Sequence, residues 1–197
     1  VSSDTTAVQV PASITVPANT LSRPIALAII NDALKDGAQN VTLTASGSGI
    51  SPAQASITVL DDELHNFAIS SIPSPQIKNG PFTVTLTARS IDGQPILNYT
   101  GIPLLTAHAS GTPLPLTTSA AVSDFIDGSK TINVTISDFA TQALLTLTDG
   151  AVSSTSNPFD IQTGSPARFV WSAIPVLQIA DQDIPVTVMA QDTFGNP

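Results

Sequence analysis

Phe82-Thr83-Val84-Thr85-Leu86-Thr87-Ala88 places apolar and threonine side chains in strict alternation. Successive side chains of an extended strand point to opposite faces, so this period of two buries one face and gives a hydroxyl-lined face to water. The pattern recurs at Ser13-Ile14-Thr15-Val16, Asn40-Val41-Thr42-Leu43-Thr44 and Ser56-Ile57-Thr58-Val59-Leu60. It recurs again at Thr131-Ile132-Asn133-Val134-Thr135-Ile136 and Ala143-Leu144-Leu145-Thr146-Leu147-Thr148. Turn signals stand between these runs: Pro17-Ala18-Asn19, Lys35-Asp36-Gly37, Ile91-Asp92-Gly93, Asp127-Gly128 and Thr148-Asp149-Gly150. No helical stripe intervenes, so the reading is an all-β sandwich rather than a βαβ fold.

Composition agrees. Serine and threonine fill 46 of 197 positions, and Glu63 is the only glutamate among fifteen acidic residues, which leaves good helix formers scarce. Six basic residues give a net charge of −9, which argues against nucleic acid and anionic membrane surfaces as partners. No apolar run reaches the ~18 residues of a membrane-spanning helix. With no cysteine in the chain, disulfides cannot hold the fold. The absence of an initiator methionine suggests a piece of a longer polypeptide.

An internal repeat sets the domain count. Residues 65–95 laid on 167–197 without a gap, at an offset of 102, agree at eleven of thirty-one positions. The matches include Phe67 with Phe169, Ile72-Pro73 with Ile174-Pro175, Gln76-Ile77 with Gln178-Ile179, Val84-Thr85 with Val186-Thr187, and Gly93 with Gly195. A module of ~100 residues follows, the usual size of an immunoglobulin-like domain. The expected organisation is a partial sandwich over 1–63, a complete one over 64–165, and the opening strands of a further repeat over 166–197.

Two resemblances add to this reading. Ser13 to Glu63, with Val16-Pro17-Ala18-Asn19, Ile30-Asn31-Asp32 and the closing Ser56-Ile57-Thr58-Val59-Leu60-Asp61-Asp62-Glu63, resembles the C-terminal part of a Calx-β domain. The middle segment, through Phe82 to Ala88, Asn98-Tyr99-Thr100-Gly101, Phe125-Ile126-Asp127-Gly128 and Ser156-Asn157-Pro158-Phe159-Asp160-Ile161, is similar to bacterial immunoglobulin-like repeats of large surface and secreted proteins. These resemblances imply tandem Greek-key sandwiches, the terminal ones incomplete, at a bacterial cell surface or in secretion. The Calx-β likeness further implies calcium as a possible ligand of Asp32, Asp36, Asp61, Asp62 and Glu63. Hard cations take six to eight oxygens, and the metal offsets repulsion among carboxylates. Asn31, Ala38 and Gln39 stand where that family usually has acids, so a solvated linker is the competing reading.

Catalysis has little to stand on. Only His65 and His108 could serve as imidazole bases, no nucleophile-elbow glycines flank a serine, and most aspartates fall in turns where they stabilise the backbone locally. No enzyme is expected. Trp171 aligns with Ile69 in the repeat, so packing is expected for it rather than a sugar platform, and Tyr99 is expected to pack on the sandwich. Lys35, Lys78 and Lys130 read as solvated rather than as isopeptide donors. The function expected is a non-catalytic structural or spacer array whose partners are neighbouring modules. The alternatives are an adhesion or carbohydrate-binding module with surface glycans as partners, or a filament in which other copies complete the sheets by β-augmentation.

Overall fold

The computed structural model describes residues 1–197 and contains strands and turns without a helix. The first segment carries β1 (Val8–Gln9), β2 (Ala28–Ile29), β3 (Gln39–Gly47) and β4 (Ile50–Val59). β3 and β4 form a long antiparallel hairpin from Gln39 opposite Val59 to Gly47 opposite Ile50, and β1 pairs with β2. Ala7, Val8 and Val41 are buried together, with Val10, Leu27, Leu43, Ile57 and Val59 around them. The strand expected at Ser13–Val16 does not form: the segment has no ladder partner, Ile14 and Val16 are exposed, and only Arg23 Nη1 donating to Thr15 O at 2.7 Å ties it down. Pro11, Pro17 and Pro24 bracket it and its neighbour and limit the amide donors a ladder would need.

The middle segment is built from ten strands: β5 (Asn66–Ile69), β6 (Gln76–Ile77), β7 (Phe82–Arg89), β8 (Leu104–Ala109), β9 (Thr112–Leu114), β10 (Leu116–Thr118), β11 (Ser129–Ile136), β12 (Ala140–Asp149), β13 (Val152–Thr155) and β14 (Phe159–Gln162). One sheet runs β10-β11-β7-β5 and the other β6-β14-β12-β8-β9, with β13 also on β12. Every pair is antiparallel except β6 on β14. Fifteen buried side chains form a continuous core, Val84, Leu86, Ile132 and Val134 from the first sheet and Leu145, Leu147, Phe159 and Ile161 from the second among them. The threonines of β7 face the other way and pair across the strand, Thr83 with Asn133 at 2.9 Å, Thr85 with Thr131 at 2.9 Å and Thr87 with Ser129 at 3.1 Å. Both products of the alternation, apolar core and hydroxyl ladder, are therefore present.

The turns fall where their residues allow them. Asp127 and Gly128 both have positive φ, 48° and 74°, and Ile126 and Ser129 exchange backbone hydrogen bonds at 2.8 and 2.9 Å, the tight hairpin geometry that such residues favour. Between β5 and β6 the chain passes from one sheet to the other. Asn157 holds it there, accepting from Ile72 N–H at 2.9 Å and donating to Ile72 O at 2.8 Å.

In the last segment β15 (Arg168–Trp171) pairs with β16 (Val188–Gln191) in the register that β5 has with β7, shifted by 102: Phe67 lies opposite Ala88, and Phe169 opposite Ala190. Even side-chain bonds repeat. Gln76 Nε2 donates to Pro73 O and Gln178 Nε2 to Pro175 O, both at 2.6 Å, while Ser70 Oγ accepts from Thr85 N–H and Ser172 Oγ from Thr187 N–H. The packing expected for Trp171 is absent: it is 59% exposed, and Phe169 is 75% exposed where Phe67 is buried. The reason is that no second sheet lies over β15 and β16, whereas β12 and β14 cover the equivalent strands of the middle segment.

Leu145→Ala, at a fully buried position, is expected to cost about 3 kcal/mol. Thr85→Ala on the outward ladder is expected to cost under ~1 kcal/mol. Urea midpoints compared at constant slope check both.

Candidate functional site

β3 and β4 are antiparallel with Gln39 opposite Val59, so the residues before β3 and those after β4 emerge at one end of the hairpin. Asp32, Asp36, Asp61, Asp62 and Glu63 accordingly line a single small cavity of ≈ 30 Å³ together with Asn31, Gly37 and Gln39. Topology thus gathers all five residues singled out in the sequence.

The four aspartates are individually engaged by amides. Asp61 Oδ2 accepts from Gly37 N–H at 2.9 Å and its Oδ1 from Glu63 N–H at 3.0 Å. Asp36 Oδ2 accepts from Gln39 Nε2 at 2.6 Å, and Asp32 Oδ1 from Leu34 N–H at 2.7 Å. Asp62 Oδ2 accepts from Asn98 Nδ2 of the middle segment at 2.8 Å. In this arrangement no three carboxylate or imidazole groups converge at metal-binding spacing. A cation would have to displace amide donors, while the side chains that could turn to meet it are already within one cavity.

Crowding shows in the electrostatics. Burial, a hydrogen bond with Asp61 and the charges of Asp62 and Asp61 push the Glu63 carboxyl above its ordinary value. Burial works to raise Asp61 too, but the Glu63 and Gly37 amides and the charge of His65 outweigh it and hold the carboxyl low. Of this adjoining pair, Glu63 is therefore the one that holds a proton more readily.

The sequence reading missed the residues that reach this end from the middle segment. Asp92 Oδ2 accepts from Ala38 N–H, and a Cβ at Gly37 would lie 2.8 Å from both Asp92 carboxylate oxygens. Gly37 also has φ +84°, so space and backbone both call for glycine. Asp92-Gly93 reads in sequence only as a turn, and nothing local in it says that its carboxylate faces the segment before β3. A cleft beside this contact is lined by Ile29, Leu60, Pro95, Ile96 and Leu97.

At the other end of the middle segment Asp192 and Asn196 play a comparable part, also unforeseen. Asp192 Oδ2 accepts from Gly164 N–H at 2.8 Å, Asn196 Nδ2 donates to Lys78 O at 2.7 Å, and Asn79 Nδ2 donates to Asn196 Oδ1 at 2.9 Å. Burial opposes the charge on Asp192, but donors from Asn196, Gly164 and Phe194 prevail and hold its carboxyl at about 2.

The remaining polar candidates have structural settings. His65 N–H donates to Arg89 O at 2.9 Å, extending the β5–β7 ladder, and His108 Nδ1 lies 3.4 Å from Thr146 Oγ1 on β12. Lys78 Nζ sits 4.3 Å from the centre of the Phe139 ring. Tyr99 packs edge-on to Phe67 and Phe125, with centroids 5.8 and 4.9 Å away, as expected for it. Its hydroxyl donates to Asp149 Oδ2 at 2.7 Å, and burial followed by that carboxylate pushes the phenol upward.

Neither a protein-family model nor a curated protein sequence matches the chain. Among solved structures it is similar to surface layer protein SbsC, domains 4–9, with 16% identity and a TM-score of 0.48 over 87% of this chain and 26% of that one. The S-layer protein rSbsC is similar at 16% identity and a TM-score of 0.44, over 99% of this chain and 23% of that one. Domains 5–6 of SbsC are similar at 18% identity and a TM-score of 0.40, over 68% and 64% of the two chains. The chain thus spans about a quarter of the length of the first two, 26% and 23%.

Two charge changes test the joints. The raised Glu63 carboxyl means that the group contributes most when protonated and that its contribution is lost as pH rises through its folded value. Glu63→Gln is therefore expected to stabilise the first segment by about 0.5 kcal/mol at neutral pH in chelator, by relief of like-charge repulsion, read from melting curves. Asp192 has the opposite sign: held at about 2, below its ordinary 3.8, it stabilises above that ordinary value, and the contribution fades as pH falls toward 2. Wild-type protein is expected to lose more melting temperature than Asp192→Asn between roughly pH 4 and 2.

Proposed function

We propose that the chain is a run of non-catalytic immunoglobulin-like modules, 1–63, 64–165 and 166–197, that serve as spacers in a large bacterial cell-surface or secreted protein. The observation that carries this is the separation of cores in the first two segments: one cluster centred on Val8 and Val41 and another on the two sheets of the middle segment share no buried residue, while Asp92 and Asn98 hydrogen-bond between them. The strand order β10-β11-β7-β5 facing β6-β14-β12-β8-β9 supports the Greek-key assignment. It corresponds to the four- and three-strand sheets of an immunoglobulin constant-type domain, with the first strand split between sheets and β9 added at one edge. An acidic, hydroxyl-rich surface suits a soluble extended array. The first module keeps the Calx-β reading, with calcium at Asp32, Asp36, Asp61, Asp62 and Glu63 as a stiffening ligand of the joint. Gathering of these carboxylates around one cavity supports that role.

A second reading rests on Phe169 and Trp171, which alternate onto one face of β15 and stand exposed. Such a face suits glycan stacking or completion by another copy.

Pulling the chain by its ends in a force spectrometer is expected to release the middle module in one event of roughly 300 Å, the contour of residues 64–165 less the folded length. Gradual extension without such a step would sink the spacer reading. Binding on a glycan array, lost on Trp171→Ala, would move the conclusion to adhesion. Calcium is checked by calorimetry: binding heat that disappears in Asp61→Asn supports it, and identical melting curves in calcium and chelator oppose it.

A further inference from the structure

Both joints of the chain are made by the same turn. In the middle segment the turn after β7 runs Ser90-Ile91-Asp92-Gly93-Gln94, closed by Gly93 N–H to Ser90 O and Ser90 N–H to Gln94 O, each at 3.0 Å. After β16 it runs Asp192-Thr193-Phe194-Gly195-Asn196, closed by Gly195 N–H to Asp192 O at 3.2 Å and Asp192 N–H to Asn196 O at 2.9 Å. The two are equivalent at the offset of 102, and their glycines have φ of 75° and 84°.

Each turn then presses on the module before it. At the first joint the tip residue is Asp92, against Gly37 and the Ala38 amide. At the second the equivalent tip residue is Phe194, whose ring would lie 3.0 Å from a Cβ on Gly80. Asn196 adds bonds to Lys78 O and Asn79 there, in a site where it and Asp192 are almost wholly buried. One side thus supplies a tip side chain and the other a glycine that lets it in. The chemistry of the tip differs, a carboxylate in one case and a ring in the other, but the position does not.

We propose that this turn is an inter-module clasp, which locks each repeat to its predecessor in one orientation by seating its tip residue over a glycine of that predecessor. The clasp turns a string of beads into a semi-rigid rod. Two modules joined only by a covalent linker tumble independently by default; two that also share a hydrogen-bonded contact, exposed at Asp92 and buried at Asp192 and Asn196, do not. The turn Ala180-Asp181-Gln182 keeps the left-handed backbone of the second joint's acceptor, with φ 65° at Asp181 where Asn79 has 61°, but it carries Gln182 in place of Gly80 and so lacks the glycine of that seat. This inference rests on the modular reading above and concerns how the modules are held.

Distances between spin labels test it, and the cysteine-free chain suits the labelling. Ser51→Cys with Thr117→Cys spans the first joint, and Thr117→Cys with Val188→Cys the second. Each pair is expected to give one narrow distance distribution. Asp92→Ala should widen the first distribution about twofold or more and leave the second alone, while Asn196→Ala should do the reverse. Asp92→Asn, which keeps a carbonyl acceptor for Ala38, should stay narrow. Asn79→Gly keeps the left-handed backbone, removes the amide from the acceptor side, and should widen the second pair. The urea midpoint of the middle module, read in parallel, is expected to hold in all of them. Broad distributions in the unaltered chain, or widths untouched by Asp92→Ala and Asn196→Ala, overturn the clasp even if the modules unfold singly under force. Narrow, clasp-dependent distances without a discrete unfolding step overturn the spacer reading and leave the clasp standing.

Discussion

Face-to-face burial of two sheets is the constraint on which the rest of this chain depends. With no cysteine and few charges to organise it, the middle module is held by Val84 and Leu86 of β7 sharing one core with Leu145, Leu147 and Phe159 of the opposite sheet. Stacked sheets lie about 10 Å apart, so each strand must send every second side chain inward at full size. That requirement explains why threonine is so frequent. It is β-branched, fits a strand, and on the outward face its hydroxyl pairs with a neighbour across the ladder, as at Thr85 and Thr131. The last segment shows the same requirement unmet: strands with the register of β5 and β7 leave Phe169 and Trp171 in solvent when no second sheet covers them.

Contacts between the segments follow a different physics. A broad apolar interface would merge the cores, whereas hydrogen bonds from the turns, joined at the second contact by the Phe194 ring over Gly80, fix direction. Hydrogen bonds of this kind contribute about 1 kcal/mol each net, enough to bias orientation and too little to couple unfolding of one module to the next. Glycine on the accepting side is what makes the approach close: a side chain at Gly37 would collide with the Asp92 carboxylate.

Much of this was legible in the sequence, and the part that was not has a common cause. The alternation at 82–88, 131–136 and 143–148 specifies strands, and the repeat at offset 102 specifies that β15 and β16 take the register of β5 and β7, because both are properties of contiguous residues. Ser13–Val16 has the same alternation and forms no strand, since a ladder needs a partner that the local pattern cannot supply. The five acidic candidates came together around one cavity because hairpin topology brings the flanks of β3 and β4 to one end. Asp92, Asn98, Asp192 and Asn196 were invisible as contact residues for the converse reason. Nothing local marks them, because Asp92, Asp192 and Asn196 meet backbone groups of a distant segment and Asn98 meets the Asp62 carboxylate.

For four of the fourteen aspartates, the preference over glutamate has its explanation in their own turns. Asp4, Asp32, Asp61 and Asp192 each accept, through Oδ1, the backbone N–H two residues ahead, at 2.8, 2.7, 3.0 and 2.9 Å. That bond closes a small ring whose size suits a carboxylate one methylene from the backbone, and a glutamate is one carbon too long for it. In two of the four the second oxygen is turned to a distant segment, Asp61 Oδ2 to Gly37 and Asp192 Oδ2 to Gly164. A single carboxylate thereby shapes its own turn and anchors it to a segment brought near by the fold. The net charge of −9 is then less a surface coating than the sum of many turn-forming groups, with its most constrained members placed where modules meet.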